Sequence, residues 1–239
     1  MSETVADRAV VVSSDTLVIA VLGAESTGKT TLAQALAERI EQATGLATTW
    51  VPEVLRSWCD AAGRTPRADE QSAIAERQHA DISAAMQRHA VVIADTTALM
   101  TTVYSGLLFN DRSLDTIAVA AHREQVALSL LTAIDIPWQP DGRQRDGPQV
   151  RGPVDNALRQ LLIAHRLPWA LVSGLGPMRV EAALDAVAPL LRSRSTPRQG
   201  LFTRLAQRNA ELPASPWICE KCDQPECEHA LRHGRAPGL

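Results

Sequence analysis

Aromatic side chains are scarce in this sequence. They make up 3% of 239 residues: five tryptophans, two phenylalanines and one tyrosine. A core must therefore be aliphatic, and the stacking faces that nucleic-acid binders interleave with basic residues are missing. An excess of one charge is lacking too. The 24 basic and 27 acidic residues leave a net charge of −3, which gives no electrostatic case for nucleic acid or an anionic membrane. No apolar run reaches the ~20 residues of a membrane-spanning helix. The first residues, Met1 to Asp7, lack the basic start and apolar body of a signal peptide. The expectation is a cytoplasmic protein with a small-molecule substrate. Cysteine is rare outside the end of the chain: of four, only Cys59 stands apart. In a reducing compartment the terminal cluster points to metal before disulfide.

What is present begins with Gly23-Ala24-Glu25-Ser26-Thr27-Gly28-Lys29-Thr30, which fits the phosphate-loop pattern G-x-x-x-x-G-K-[ST] without mismatch. Leu17 to Leu22 before it is unbroken and apolar, as a strand buried on both faces reads. Thr31 to Ile40 after it is apolar at helical spacing. Strand, glycine loop and helix let loop N–H groups converge on phosphate at the positive end of the helix dipole. The pattern places Lys29 on the β and γ phosphates and Thr30 on Mg²⁺. Gly23, Glu25, Ser26, Thr27, Gly28, Lys29, Thr30 and Thr31 form the expected ATP site.

Further along, apolar runs at 47–51, 90–94, 128–134 and 169–172 alternate with helical patterns. This predicts an α/β fold, a parallel sheet of about five strands with helices on both faces. The domain is expected over residues 16–192, after a flexible stretch at 1–15. A linker and helix follow at 193–215, and a small cysteine-rich tail at 216–239. Ligands of such sheets lie beyond the carboxyl ends of the strands, so the phosphate loop, Glu53, Asp95 and Asp135 should gather at one edge.

Asp95 closes an apolar strand and is the expected magnesium-site acid. Glu53 ends the second strand and is the candidate base for an acceptor hydroxyl. Arg56, three residues on, would share its helix face. The stretch Pro137–Pro153 holds Trp138, Asp141, Arg143, Arg145 and Arg151. Arginines on such a flap can close over a triphosphate; Arg143 and Arg145 are the candidate catalytic pair. Trp138 can stack on a flat ring. In the tail, Cys219, Cys222, Cys227 and His229, with His233 as a rival fourth ligand, have the donor types of a structural zinc site. A disordered tail with free thiols is the alternative.

Taken together the motifs resemble a known family. The phosphate loop, Val51-Pro52-Glu53-Val54-Leu55-Arg56, Ile74-Ala75-Glu76-Arg77-Gln78, Ile93-Ala94-Asp95-Thr96-Thr97 and Asp135-Ile136-Pro137-Trp138-Gln139-Pro140-Asp141-Gly142 occur in order. This is similar to the NadR-type nicotinamide riboside kinase domain of the P-loop kinase superfamily, over about residues 17 to 192. The resemblance implies ATP-dependent phosphorylation of the ribose 5′-hydroxyl of nicotinamide riboside, for NAD salvage. It places Lys29 and Thr30 on ATP-Mg, Asp95 and Glu53 near the acceptor, and Trp138 near the nicotinamide ring. Arg56 and Asp141 complete the expected substrate site. No H-x-G-H adenylyltransferase motif appears, so dinucleotide synthesis is not implied. Two other readings stand beside this one. One is a kinase for another nucleoside or sugar. The other is a nucleotide-dependent regulator or scaffold ATPase whose zinc tail binds a protein partner.

Overall fold

The structure is a computed structural model, and it describes residues 16–139, 147–192 and 194. Asp141, Arg143, Arg145 and the proposed zinc ligands Cys219, Cys222, Cys227 and His229 lie outside the described residues. So do the expected linker and the first 15 residues.

Five parallel strands form one sheet: β1 (Leu17–Leu22), β2 (Thr48–Val51), β3 (Val91–Asp95), β4 (Leu128–Thr132) and β5 (Trp169–Val172). Their spatial order is β2-β3-β1-β4-β5. β1 lies at the centre, and all six of its residues are buried. Its composition, Leu-Val-Ile-Ala-Val-Leu, suits a strand covered on both faces. Full burial of each Leu, Ile or Val there contributes roughly 1.5–3 kcal/mol. The edge strands β2 and β5 carry polar or half-exposed residues instead.

Among the described residues seven helices cover the sheet: α1 (Lys29–Thr44), α2 (Val54–Ala62), α3 (Gln71–Met86), α4 (Ala98–Phe109), α5 (Asp115–Gln125), α6 (Arg151–Ala164) and α7 (Pro177–Arg192). Alternation along β1 divides the core. Val18, Ala20 and Leu22 face a cluster built with Ile82, Leu99, Met100, Leu158 and Leu162. On the other face α1 packs on β3 and β2, and against α7. The buried Leu32, Leu36 and Ile40 of α1 recur every fourth residue, which sets one helical stripe toward the sheet. Gly45 ends α1 in the left-handed region, at φ 70°, and its N–H donates to Glu41 O.

The connection from β1 runs to the β2 edge, whereas that from β3 runs to β4 on the opposite side of β1. The strand order thus reverses at β1 and β3, the place where such sheets open a ligand crevice. Val21 pairs with Asp95 there. One boundary differs from the sequence reading. The irregular stretch expected up to Pro153 ends earlier, in a single 3₁₀ turn at Pro148–Val150 that leads into α6 at Arg151. Pro153 is tolerated because the first turn of a helix needs no intrahelical N–H donor.

Candidate functional site

The phosphate loop joins β1 to α1, and steric necessity shapes it. Gly23 has φ 153°, and a Cβ there would lie 2.0 Å from Thr132 Oγ1. No larger residue fits without moving β4. Gly28 caps α1 at φ 74°, and Ser26 between them also has positive φ. The Thr27 side chain is fully buried. Its hydroxyl donates to Ala24 O at 2.8 Å and lies 2.7 Å from Thr132 Oγ1. Thr27 thus holds the loop's shape from within. Lys29 Nζ donates across the loop to Ala24 O at 2.9 Å, leaving further ammonium donors for phosphate. Glu25 is different in kind: its Oε2 is buried with no hydrogen-bond partner among the described residues. A carboxylate only accepts, so what Glu25 can offer phosphate is its backbone N–H.

Asp95 stands at the end of β3, 1% exposed. Its Oδ2 accepts from Thr30 Oγ1 at 2.5 Å, and its Oδ1 is buried with no hydrogen-bond partner among the described residues. Burial raises its pKa above the ordinary aspartate value. The Thr30 hydrogen bond and the charges of Lys29 and Arg56 oppose that rise. A hydroxyl and an acid with one unmet oxygen, beside the phosphate loop, have the hard oxygen donors magnesium takes. Thr30 and Asp95 therefore fit Mg²⁺. Among the described residues there is no group of three or more His, Cys, Asp or Glu able to hold a metal.

Behind Asp95 the chain turns through Thr96, at φ 71°. The Thr97 hydroxyl caps α4 by accepting from Leu99 N. His122 of α5, 3% exposed, braces this turn. Its Nδ1 lies 3.1 Å from Thr97 Oγ1 and its Nε2 2.9 Å from Ser129 Oγ on β4. Burial pushes this imidazole down to about 4, so it is neutral at physiological pH. Nothing in the sequence marks His122, because its partners come from two other elements.

A cavity of about 560 Å³ opens over the loop, a size that suits a nucleotide. Residues 26–32 form its floor, and Arg56 reaches it from α2. Ile136, Pro137 and Gln139 after β4 form one wall; Leu175, Gly176, Arg179 and Val180 after β5 form another. The two walls are tied together by Arg179. Its Nε donates to Gly174 O at 2.8 Å, its Nη1 to Thr27 O at 2.9 Å and its Nη2 to Ala133 O at 3.4 Å and to Asp135 Oδ1. The other Asp135 oxygen accepts from Gly174 N at 2.7 Å. This latch joins the phosphate loop, the end of β4 and the turn after β5. Sequence reading placed Asp135 at this edge but missed Arg179 and the β5 turn. The spacing Gly174-x-Gly176 directly after a strand was the available signal.

Glu53 sits at the N-cap of α2, and its side chain is 11% exposed. Arg56 Nε is 3.9 Å from Glu53 Oε2, an ion pair one helical turn long. The cavity reaches Arg56 but is not lined by Glu53. Trp138 is half-buried, and its Nε1 has no hydrogen-bond partner among the described residues. It too stands outside the cavity lining. Its neighbour Gln139 is held to the phosphate loop twice: its N–H donates to Ser26 Oγ at 2.9 Å, and its carbonyl accepts from the Ser26 hydroxyl at 3.1 Å. Cys59 is buried in α2, and burial first, then Glu53 and Asp60, push its thiol up to about 11. It is an unreactive core residue.

A family model described as AAA domain matches residues 18–179. Solved structures share the fold. A NadR protein in complex with NAD and AMP-PNP is 24% identical, with a TM-score of 0.60 over 73% of this chain and 49% of that one. A NadR protein in complex with NR is 22% identical, with a TM-score of 0.61 over 73% and 50%. A thymidylate kinase from Ehrlichia chaffeensis is 15% identical, with a TM-score of 0.54 over 73% and 98%. These likenesses are of fold, and the match spans about half the length of the NadR chains. No curated protein matches the sequence. Among the described residues no helix is long and apolar enough to cross a membrane.

Proposed function

Because the chain belongs to the AAA domain family and carries a P-loop nucleotide-binding domain, we propose that it is an ATP-dependent small-molecule kinase. The acceptor we propose is the ribose 5′-hydroxyl of nicotinamide riboside. One observation carries the kinase reading: Lys29, the Thr30–Asp95 pair and Arg56 converge on a single cavity edge. Phosphoryl transfer asks little covalent chemistry of a protein. It asks for positioning and for charge neutralisation.

The loop N–H groups and Lys29 cradle the β and γ phosphates. Thr30 and Asp95 would hold Mg²⁺, which supplies neutralisation of the phosphate oxygens. Arg56 adds a cation where charge develops. Glu53, partly covered and beside Arg56, is the base for the acceptor hydroxyl, with Asp95 as the second choice. The walls after β4 and β5 enclose the donor's base and exclude water, which would otherwise hydrolyse ATP. Trp138 faces the acceptor ring in this reading, and Arg143, Arg145 and Asp141 complete the lid and acceptor site.

The specific acceptor is supported by the motif series from the phosphate loop to Gly142 and by the fold shared with NadR proteins, one of which was solved with NR. Cytoplasmic location, a zinc-bound tail and a partner for that tail belong to the same proposal and rest on sequence alone. The test is ADP release from Mg-ATP with nicotinamide riboside, common nucleosides, sugars or water as acceptor. Release stimulated by nicotinamide riboside alone is the expected result. Stimulation by another nucleoside or a sugar keeps the kinase and replaces its substrate. Slow release indifferent to every acceptor overturns the kinase in favour of a nucleotide-dependent regulator.

A further inference from the structure

The stretch Ile74-Ala75-Glu76-Arg77-Gln78 lies on α3, outside the lining of the nucleotide cavity. Burial divides it. Glu76 and Arg77 face solvent, where Ser72 Oγ donates to Glu76 at 2.9 Å and Arg77 Nε donates to Asp81 at 2.8 Å. Ile74 and Ala75 belong to the stripe that α3 turns to the core, continued by Ile82 and Ala85. Gln78 lies in that same stripe, 2% exposed. An amide among apolar side chains is costly unless its oxygen and its nitrogen are both bonded. Here both are. Gln78 Oε1 accepts from Val54 N at 2.8 Å, and its Nε2 donates to Pro52 O at 3.3 Å. A backbone N–H demands the oxygen and a carbonyl demands the nitrogen, so the amide has one orientation.

The two backbone atoms that Gln78 holds belong to the residues on either side of Glu53, in the turn from β2 into α2. Glu53 occupies the N-cap of α2 with extended backbone, and its side chain makes no capping hydrogen bond. The first N–H groups of a helix need acceptors from outside it. The N-cap side chain often supplies one. In α2 the acceptor for Val54 N comes from α3 instead, 24 residues along the chain. The Glu53 carboxylate is thereby relieved of capping, and it pairs with Arg56 at 3.9 Å. The packing of α2 alone would fix this turn weakly, because Cys59 is the single fully buried residue of that helix. The clamp ties the turn to α3, which packs on α4, β2 and β3.

We propose that Gln78 is a positioning residue for phosphoryl transfer. It stands outside the cavity lining and acts through Pro52 and Val54, setting where the Glu53 carboxylate and the Arg56 guanidinium meet the acceptor. The assignment rests on the reading of Glu53 as the base. A misplacement of about 1 Å in such a group can cost roughly a hundredfold in rate. The donor platform is held by other bonds, those of Thr27, Thr132 and Arg179, and should not feel the change.

The experiment measures steady-state turnover and ATP binding in the full chain, with Mg-ATP and the acceptor that wild type uses, expected to be nicotinamide riboside. Gln78→Met keeps the length of the side chain and removes both bonds. Its kcat/KM for the acceptor should fall about tenfold to a hundredfold, with the Kd for ATP within about twofold of wild type. An unchanged kcat/KM overturns the assignment. So does an equal loss in ATP affinity, which would show general loosening. A lower melting temperature fits a structural role as well as a positioning one, so the second readout is coupling to Glu53. Gln78→Met, Glu53→Gln and the double variant are compared well below their melting temperatures. If Gln78 acts through Glu53, its substitution should slow Glu53→Gln far less than it slows wild type. Losses that multiply overturn the role. If Gln78→Met does not fold, Gln78→Glu takes its place. One oxygen then still accepts from Val54 N while the other opposes Pro52 O, so the acceptor kcat/KM should fall with ATP binding intact. Normal turnover by Glu53→Gln would end the base reading and this role with it. A slow Glu53→Gln beside a normal Gln78→Met would end only the role of Gln78. Wild type that transfers to no acceptor would end the phosphotransfer reading itself.

Discussion

Arg179 and Arg151 are nearly equally buried, at 5% and 7% exposure, and they stand on opposite terms with their surroundings. Arg179 donates to three carbonyls and to Asp135, so every nitrogen has an acceptor. Among the described residues Arg151 has one acceptor, and its Nε and Nη2 have none. The difference separates a guanidinium bonded at every nitrogen from one held by a single described bond. Around Arg179 the loop, the β4 end and the β5 turn form one satisfied network, which holds the donor platform in place before any ligand arrives. Among the described residues Arg151 Nε and Nη2, Asp95 Oδ1 and Trp138 Nε1 are buried without a hydrogen-bond partner. Native structures leave few buried polar atoms unmet. Of the three, Asp95 stands nearest the phosphate loop, through its bond from Thr30.

The largest expected effect is that of Lys29→Ala. It leaves the network around Arg179 intact and removes a charge the phosphates need. Turnover should fall about a thousandfold with little change in melting temperature; an unchanged rate would remove the phosphate-loop assignment. Glu53→Gln removes the candidate base alone. It should lower turnover roughly a hundredfold or more while ATP still binds with normal affinity, and normal turnover would transfer the base role to Asp95.

Arg179→Ala attacks the network itself. It strands the Asp135 carboxylate and the Thr27 carbonyl, and should destabilise the protein by about 3 kcal/mol, a drop of roughly 6–12 °C in melting temperature. Scanning calorimetry of this variant beside Arg151→Met sharpens the contrast: Arg151 has a single described bond to lose, so its variant should fall less. The last effect, present only at acid pH, is at His122. Its folded value near 4 lies below its ordinary 6.5. The folded state therefore binds fewer protons in between, and stability present above pH 6.5 is lost as pH falls toward 4, by up to about 3 kcal/mol. Melting temperatures of His122→Gln across that window should vary less steeply than those of wild type, and parallel curves would assign the acid loss to other groups.

Much of this molecule was legible from local pattern. Leu17 to Leu22 has the continuous hydrophobicity of a doubly covered strand. Gly23 to Thr30 carries the phosphate loop in eight consecutive residues. Asp95 announced itself as an acid at the end of an apolar run, and Thr30 now donates to it. These features are short-range, so spacing alone reveals them. The stretch read as running to Pro153 gives way to α6 already at Arg151, since a first turn accepts proline.

Other features had no local trace. Thr132 requires glycine at position 23, yet the two are brought together only because β4 lies beside β1. His122 joins Thr97 to Ser129, and Arg179 joins Thr27 to Asp135, across separations that no periodicity encodes. The sequence by itself determined the strand–loop–helix chemistry and the alternation that makes a parallel sheet, because both depend on residues near one another in the chain. Only the tertiary structure decided which arginine is a latch and which is held by a single described bond. A guanidinium's role is set by the acceptors around it, and those acceptors come from remote strands and turns.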